Sequence, residues 1–279
     1  MKWILLYMVS FCSIKQLDAQ ALIRPDTVLI SSDTLQLKGL LWHPPIQGPL
    51  PAIIFCHGTY ETTETKYNII EQVSTLGSLY AKNGYTFLGL FRRGNGLSKD
   101  QGVNTGDLMA TALKEKGQEE RNRIQIQQLQ DGDLRDMIAA LKFLKQRKEV
   151  DTNRIAAAGH SFGGSLALLL TEHDRNIKSV IIFGAAGGSW NLSPQLRARL
   201  IQAAKNISVP VFIGHAENDY SVTPGYALDS VMKRFNKPHI LKIYPPFGNT
   251  PSEGHNFLFL SPSMWEADAI EFFRKNLQK

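Results

Sequence analysis

The chain has 279 residues, 43% hydrophobic and 20% charged, and a formal net charge of +6. This is the composition of an ordinary globular protein, long enough to bury a core without a metal or disulfide to staple it. Lysine and arginine are scattered with no run of five, which argues against nucleic acid or an anionic membrane as a partner.

In chain order, the first feature is Lys2 followed by an apolar stretch, Trp3–Cys12, too short for a bilayer span of about 20 residues. With the small-residue site Ala19-Gln20-Ala21 behind it, the segment reads as a signal peptide over 1–21, although Lys15 and Asp18 put charge before the site. The mature protein is then expected to be exported, periplasmic or secreted, with no stable membrane span. A buried N-terminal segment is the competing reading, and bulky Phe11 disfavours a lipid anchor at Cys12. Cys56 would be the one cysteine left, so no intramolecular disulfide forms, and no CxxC or HExxH offers a metal site. Neither metal nor cofactor is expected.

Two strands follow, Thr27–Ser31 and Thr34–Trp42, and then a Pro/Gly loop over 44–49. Beyond it, short continuous apolar runs alternate with helical patterns. The runs Ala52–Cys56, Thr86–Phe91, Arg154–Ala158, Val180–Phe183, Val209–Ile213 and Ile240–Tyr244 have the unbroken apolar character of strands buried on both faces. Helices are predicted at Tyr67–Lys82, Asp133–Arg147, Phe162–Glu172, Pro194–Asn206, Pro224–Phe235 and Pro262–Asn276. Such alternation predicts one α/β domain over 22–279. It has a mostly parallel central sheet, helices on both faces and an antiparallel N-terminal edge. About 40 polar residues separate Phe91 from Asp133, where such connections usually take 2–6. Leu108, Met109, Ala112 and Leu113 suit a short amphipathic helix there. The segment 99–130 is a candidate lid; a surface insertion without catalytic meaning is the alternative.

Gly159-His160-Ser161-Phe162-Gly163 fits G-x-S-x-G, and it lies between a strand and a helix. A serine there is held on a sharp, strained turn with its hydroxyl above the sheet, and side chains at 159 and 163 would collide with neighbouring elements. The helix N-terminus also directs positive charge density at any oxyanion formed beside it. A glycine-rich helix start with Ser161 as a simple cap is the plainer alternative, so the partners decide. On such an architecture the acid and then the base follow the serine in sequence. No carboxylate lies between Asp174 and Glu217, so the loop after Val180–Phe183 supplies none. The next loop offers Glu217 and Asp219. Asp219 is preferred because it lies further into the loop, though either could be a solvated turn carboxylate. Of the two later histidines, His239 precedes its strand, at the wrong end of the sheet, whereas His255 follows the strand in the loop that ends Gly254-His255. Ser161, Asp219 and His255 therefore form a candidate triad of nucleophile, orienting acid and base.

With His57-Gly58, Arg93-Gly94-x-Gly96-x-Ser98, Gly159-x-Ser161-x-Gly163-Gly164, Asp219 and Gly254-His255, most of the mature chain resembles the α/β-hydrolase superfamily and, within it, the dienelactone hydrolase-like group. The namesake dienelactone hydrolases carry a cysteine nucleophile, whereas this chain has Ser161. The resemblance implies an oxyanion hole from the backbone N–H groups of Thr59 and Phe162, with His57 bracing the loop and Arg92 and Arg93 as structural hydrogen-bonders. The expected activity is a serine hydrolase cleaving a carboxylic ester through an acyl-enzyme, with a small-molecule ester or short peptide as substrate. Two alternatives stand beside it: a compact prolyl-oligopeptidase-like serine peptidase, and a non-catalytic binding protein on the same fold. A dinucleotide-binding oxidoreductase is disfavoured, because Gly184-Ala185-Ala186-Gly187-Gly188 lacks the G-x-G-x-x-G spacing.

Overall fold

The structure, a computed structural model, describes residues 23–63 and 66–277. The apolar stretch and cleavage site read as a signal peptide over 1–21 lie outside the described residues.

Eight strands form one sheet. They are β1 (Asp26–Ser32), β2 (Leu35–Trp42), β3 (Leu50–Cys56), β4 (Thr86–Leu90), β5 (Val150–His160), β6 (Ile177–Phe183), β7 (Val211–Ala216) and β8 (His239–Tyr244). Their spatial order is β1-β2-β4-β3-β5-β6-β7-β8. From β4 to β8 every neighbouring pair is parallel, and β2 runs antiparallel to both β1 and β4, as the short connection at Asp33 requires. The helices are α1 (Ile69–Lys82), α2 (Thr105–Lys116), α3 (Gln118–Gln127), α4 (Asp133–Lys145), α5 (Phe162–His173), α6 (Pro194–Asn206), α7 (Thr223–Arg234), α8 (Pro251–His255), α9 (Phe257–Leu260) and α10 (Glu266–Asn276). The protein has the α/β-hydrolase fold.

Successive strand residues face opposite sides and feed two separate cores. In β3, Ala52, Ile54 and Cys56 join Leu134, Met137, Leu166 and Leu200 from α4, α5 and α6. Ile53 and Phe55 point the other way, to Val73, Tyr80 and Phe273 from α1 and α10. The central helix α5 is buried from Phe162 through Thr171, which is why its sequence is apolar all round rather than on one stripe. Each buried Leu there contributes about 1.5–3 kcal/mol. The chain leaves β3 toward β4 but leaves β5 toward β6 on the opposite side. That reversal opens a crevice beyond the carboxyl ends of β3 and β5.

Three expectations need correction. The predicted strand Val209–Ile213 begins and ends later, at Val211–Ala216, so His215 is a buried strand residue and not part of a loop. The predicted helix Pro262–Asn276 breaks at Trp265, whose φ of −133° is not helical. The break lets a fully buried Trp265 donate its indole N–H to the Leu258 carbonyl at 3.0 Å. The polar segment before Asp133 holds two helices, α2 and α3, and a π-helical turn, Gln128–Gly132, leading into α4.

Candidate active site

Ser161 sits between β5 and α5 with φ 56° and ψ −121°, a left-handed conformation that a non-glycine residue adopts only under strain. The packing around it explains the glycines. A Cβ on Gly163 would overlap the carbonyl oxygens of Cys56 and His57, and one on Gly159 would overlap the carbonyl of Gly163. The turn can therefore be tight only with hydrogen at both positions. The loop after β3 comes up against the turn, since a Cβ on Gly58 would stand 3.5 Å from the Ser161 Cβ. Thr59 on that loop, Ser161, Phe162 and His255 line one cavity of about 280 Å³. Phe162 is the first residue of α5, so its N–H has no acceptor within the helix.

Asp219 lies three residues beyond the end of β7 and is buried, while Glu217 is exposed. Its Oδ1 accepts a hydrogen bond from His255 Nδ1 at 2.6 Å, and its Oδ2 accepts one from His215 Nδ1 at 2.8 Å. Burial by itself would raise the carboxyl pKa, but the hydrogen bonds from the two imidazoles win and hold it well below the usual range. His255 is the last residue of the one-turn helix α8, where a loop had been expected. That helix is set by a capping box, Thr250 to Glu253, with Pro251 at its first position. His239, by contrast, begins β8 at the far edge and bonds to Asp229 and the Lys237 carbonyl. Candidate residues 161, 219 and 255 thus come together at one end of the sheet.

His215 was not singled out from the sequence; a histidine inside an apolar strand carries no pattern that separates a carboxylate partner from a core residue. His160 was not singled out either, though it is fully buried beside Ser161. The stretch Gly184–Gly188 has a structural reason in place of a dinucleotide role. A Cβ on Gly187 would come within 2.9 Å of Asp219 Oδ1, so glycine there leaves the carboxylate its position.

The floor of the site is held by Arg92, buried completely. Its Nη1 and Nη2 donate to the carbonyls of His57 and Gly58 at 2.7 and 3.1 Å, and its guanidinium lies 5.4 Å from the Phe162 ring centre. One arginine therefore braces both segments that carry the expected oxyanion donors. Its counter-charge is Asp133, at 3.4 Å, itself bonded by the Thr105 hydroxyl at 2.8 Å. His57 Nδ1 faces the Gly58 carbonyl, and burial together with Arg92 keeps that imidazole neutral, well below the usual histidine pKa. Arg93 binds Asp136 through its main chain and side chain, which ties the loop to α4. Cys56 is buried directly beneath, and burial pushes its thiol up to about 12.

Among the described residues no cluster of His, Cys, Asp and Glu could hold a metal ion, and no helix is long and apolar enough to cross a membrane. A family model described as the dienelactone hydrolase family matches residues 37–270. Among curated proteins no sequence match was found. The fold is similar to that of several solved structures. Pyrococcus horikoshii acylaminoacyl peptidase superposes with a TM-score of 0.66 at 19% identity, over 93% of this chain but 43% of the peptidase, so the chain spans less than half of that protein. The Pyrococcus furiosus esterase Pf2001 has a TM-score of 0.64 at 16% identity, over 92% of each chain. Est1E from Butyrivibrio proteoclasticus, solved with ferulic acid, has a TM-score of 0.59 at 20% identity, over 90% of this chain and 100% of Est1E.

Proposed function

The chain belongs to the dienelactone hydrolase family and is a hydrolase, and from that premise we propose that it cleaves carboxylic esters through an acyl-enzyme on Ser161. In this reading His255 Nε2 takes the proton of the Ser161 hydroxyl as its oxygen attacks the ester carbonyl. The same imidazole then returns that proton to the departing alkoxide. A water molecule, deprotonated by His255, next attacks the acyl carbonyl and releases the acid and the free serine. Asp219 fixes the Nδ1–H tautomer and stabilises the imidazolium that forms twice per cycle. The N–H groups of Thr59 and Phe162 would receive the negative oxygen of each tetrahedral intermediate, a type of contact worth about 10²–10³ in rate per donor.

The observation that carries this reading is the 2.6 Å bond from His255 to Asp219, with the imidazole lining the same cavity as a serine on a strained elbow. Esters are preferred over peptides because the likeness to two esterases runs through nearly the whole of both chains, whereas the peptidase shares less than half of its length. A fluorophosphonate probe should label the protein and fail to label Ser161→Ala. Labelling that survives Ser161→Ala would overturn the nucleophile, and an unlabelled wild type would favour a binding protein on this fold. A panel of p-nitrophenyl esters set against aminoacyl-p-nitroanilides then decides the leaving group: turnover of the anilides alone would make the protein a peptidase.

A further inference from the structure

His215 lies on β7, completely buried, and does not line the cavity that holds Ser161 and His255. Its Nδ1 is 2.8 Å from Asp219 Oδ2, while His255 Nδ1 is 2.6 Å from Oδ1. An ionised carboxylate only accepts, so both imidazoles donate from Nδ1. Burial works to raise the Asp219 pKa, and of the hydrogen bonds that outweigh it, the one from His215 comes before the one from His255. The strand carries this ring at a cost. His215 Nε2 is buried with no hydrogen-bond partner among the described residues, whereas a leucine there would bury no polar atom of its side chain.

What the second bond supplies is orientation. The terminal torsion of an aspartate is soft, and a single hydrogen bond leaves the carboxylate free to turn about it. Donors on opposite oxygens fix its plane, so that Oδ1 is the oxygen presented to His255. The surroundings are tight as well. A Cβ on Gly187 would come 2.9 Å from Oδ1, and one on Gly184 would come 3.3 Å from Oδ2 and 3.0 Å from His255 Cε1. His215 is itself backed by the first turn of α7, where a Cβ on Gly225 would stand 3.0 Å from its Cδ2 and 3.2 Å from its Nε2. The ring is therefore held between a helix and the carboxylate, with little room to swing.

We propose that His215 is a positioning residue for the hydrolysis: by binding Asp219 Oδ2 it turns Oδ1 toward His255 and so aims that imidazole at Ser161. This rests on the reading of Ser161 as the nucleophile and His255 as its base. The test compares His215→Leu, which removes the donor, with His215→Asn, whose amide N–H can stand where the imidazole Nδ1–H stood. His215 touches no substrate, so in His215→Leu kcat for p-nitrophenyl butyrate should fall about ten- to hundredfold, with KM within about twofold. His215→Asn should recover most of that loss. Unchanged kcat in His215→Leu, or equal losses in both variants, overturns the role. If His215→Leu does not fold, His215→Gln, whose amide lies one bond too far out, takes its place with the same expectations. Proton NMR separates this role from the reading beneath it. The low-field resonance of the His255 Nδ1 proton should be present in the wild type and His215→Asn and vanish in His215→Leu, whether or not an ester is turned over. Its survival in His215→Leu overturns the role. Its loss there, in a protein that hydrolyses no ester, keeps the role and retires the nucleophile.

Discussion

His160 Nε2 donates to the main-chain carbonyl of His255 at 2.8 Å, with the two rings 4.8 Å apart. The residue beside the proposed nucleophile in sequence therefore holds the residue proposed as its base. A carbonyl only accepts, so the Nε2 of His160 must carry the proton, and its Nδ1 is buried with no partner. Burial, and then the neighbouring His255, lower the His160 pKa to about 3.

This has a consequence for acid stability. The unfolded chain binds a proton at His160 below about pH 6.5, and the folded chain does not until about pH 3. Stability from this group is thus complete above pH 6.5 and falls as pH drops through that window, by up to about 1.4 kcal/mol per pH unit. His57, held neutral by burial and Arg92, adds a slope of the same sign. The depressed Asp219 contributes stability above its unfolded pKa of about 3.9, and loses it only below that value. Urea unfolding at pH 7 and 4.5 should show a marked loss, and His160→Asn, which can still donate to the carbonyl, should remove one histidine's share. A flat profile in the wild type would refute it.

Gly187→Ala should spare the fold and damage turnover. The new methyl would meet Asp219 Oδ1 at 2.9 Å, closer than a real Cβ contact allows, so the carboxylate must shift away from His255. Displacements of about 1 Å in an active site cost up to about 10² in rate. We expect kcat for ester hydrolysis to fall about ten- to hundredfold with a native melting curve; unaltered kcat would mean that the loop yields instead.

Arg92→Met should destabilise the protein by about 3–5 kcal/mol, the cost of leaving a buried carboxylate without its partner. The carboxylate is Asp133, fully buried, whose pKa burial already raises. Adding Asp133→Asn should recover much of the loss. Denaturant titration of the three proteins measures it, and a double variant no better than the single one would show that support of the 57–58 carbonyls dominates.

Cys56 should be inert. Its buried thiol, pushed up to about 12, holds almost no thiolate at neutral pH. A thiol-specific disulfide reagent should react only after denaturation, and rapid labelling of native protein would contradict the packing described here.

The strands were legible in the sequence because both faces of this sheet are covered. Runs such as Ile53–Cys56 are apolar without alternation, a pattern that a half-exposed strand or a surface helix does not give. The elbow was legible because two close backbone approaches, at Gly159 and Gly163, admit nothing larger than hydrogen. Helix α3 was not legible. Its buried residues, Asn122 and Gln125, are held by hydrogen bonds and not by apolar contact, so hydrophobic periodicity says nothing about it. The turn bearing His255 did carry a readable signal, the Thr250-Pro251-x-Glu253 start of a helix.

By itself, then, the order of residues determined the layered α/β architecture and the candidate trio at 161, 219 and 255, since both follow from local constraints: burial on two faces, a tight turn, and which loops contain an acid or a base. Only the folded chain decided that Asp219 is shared between His215 and His255, and that Arg92 underpins both segments beside Ser161. Those relationships join residues as distant in the chain as Asp219 and His255, or Arg92 and Phe162. They depend on how the layers pack, and a one-dimensional pattern does not record distances across a sheet.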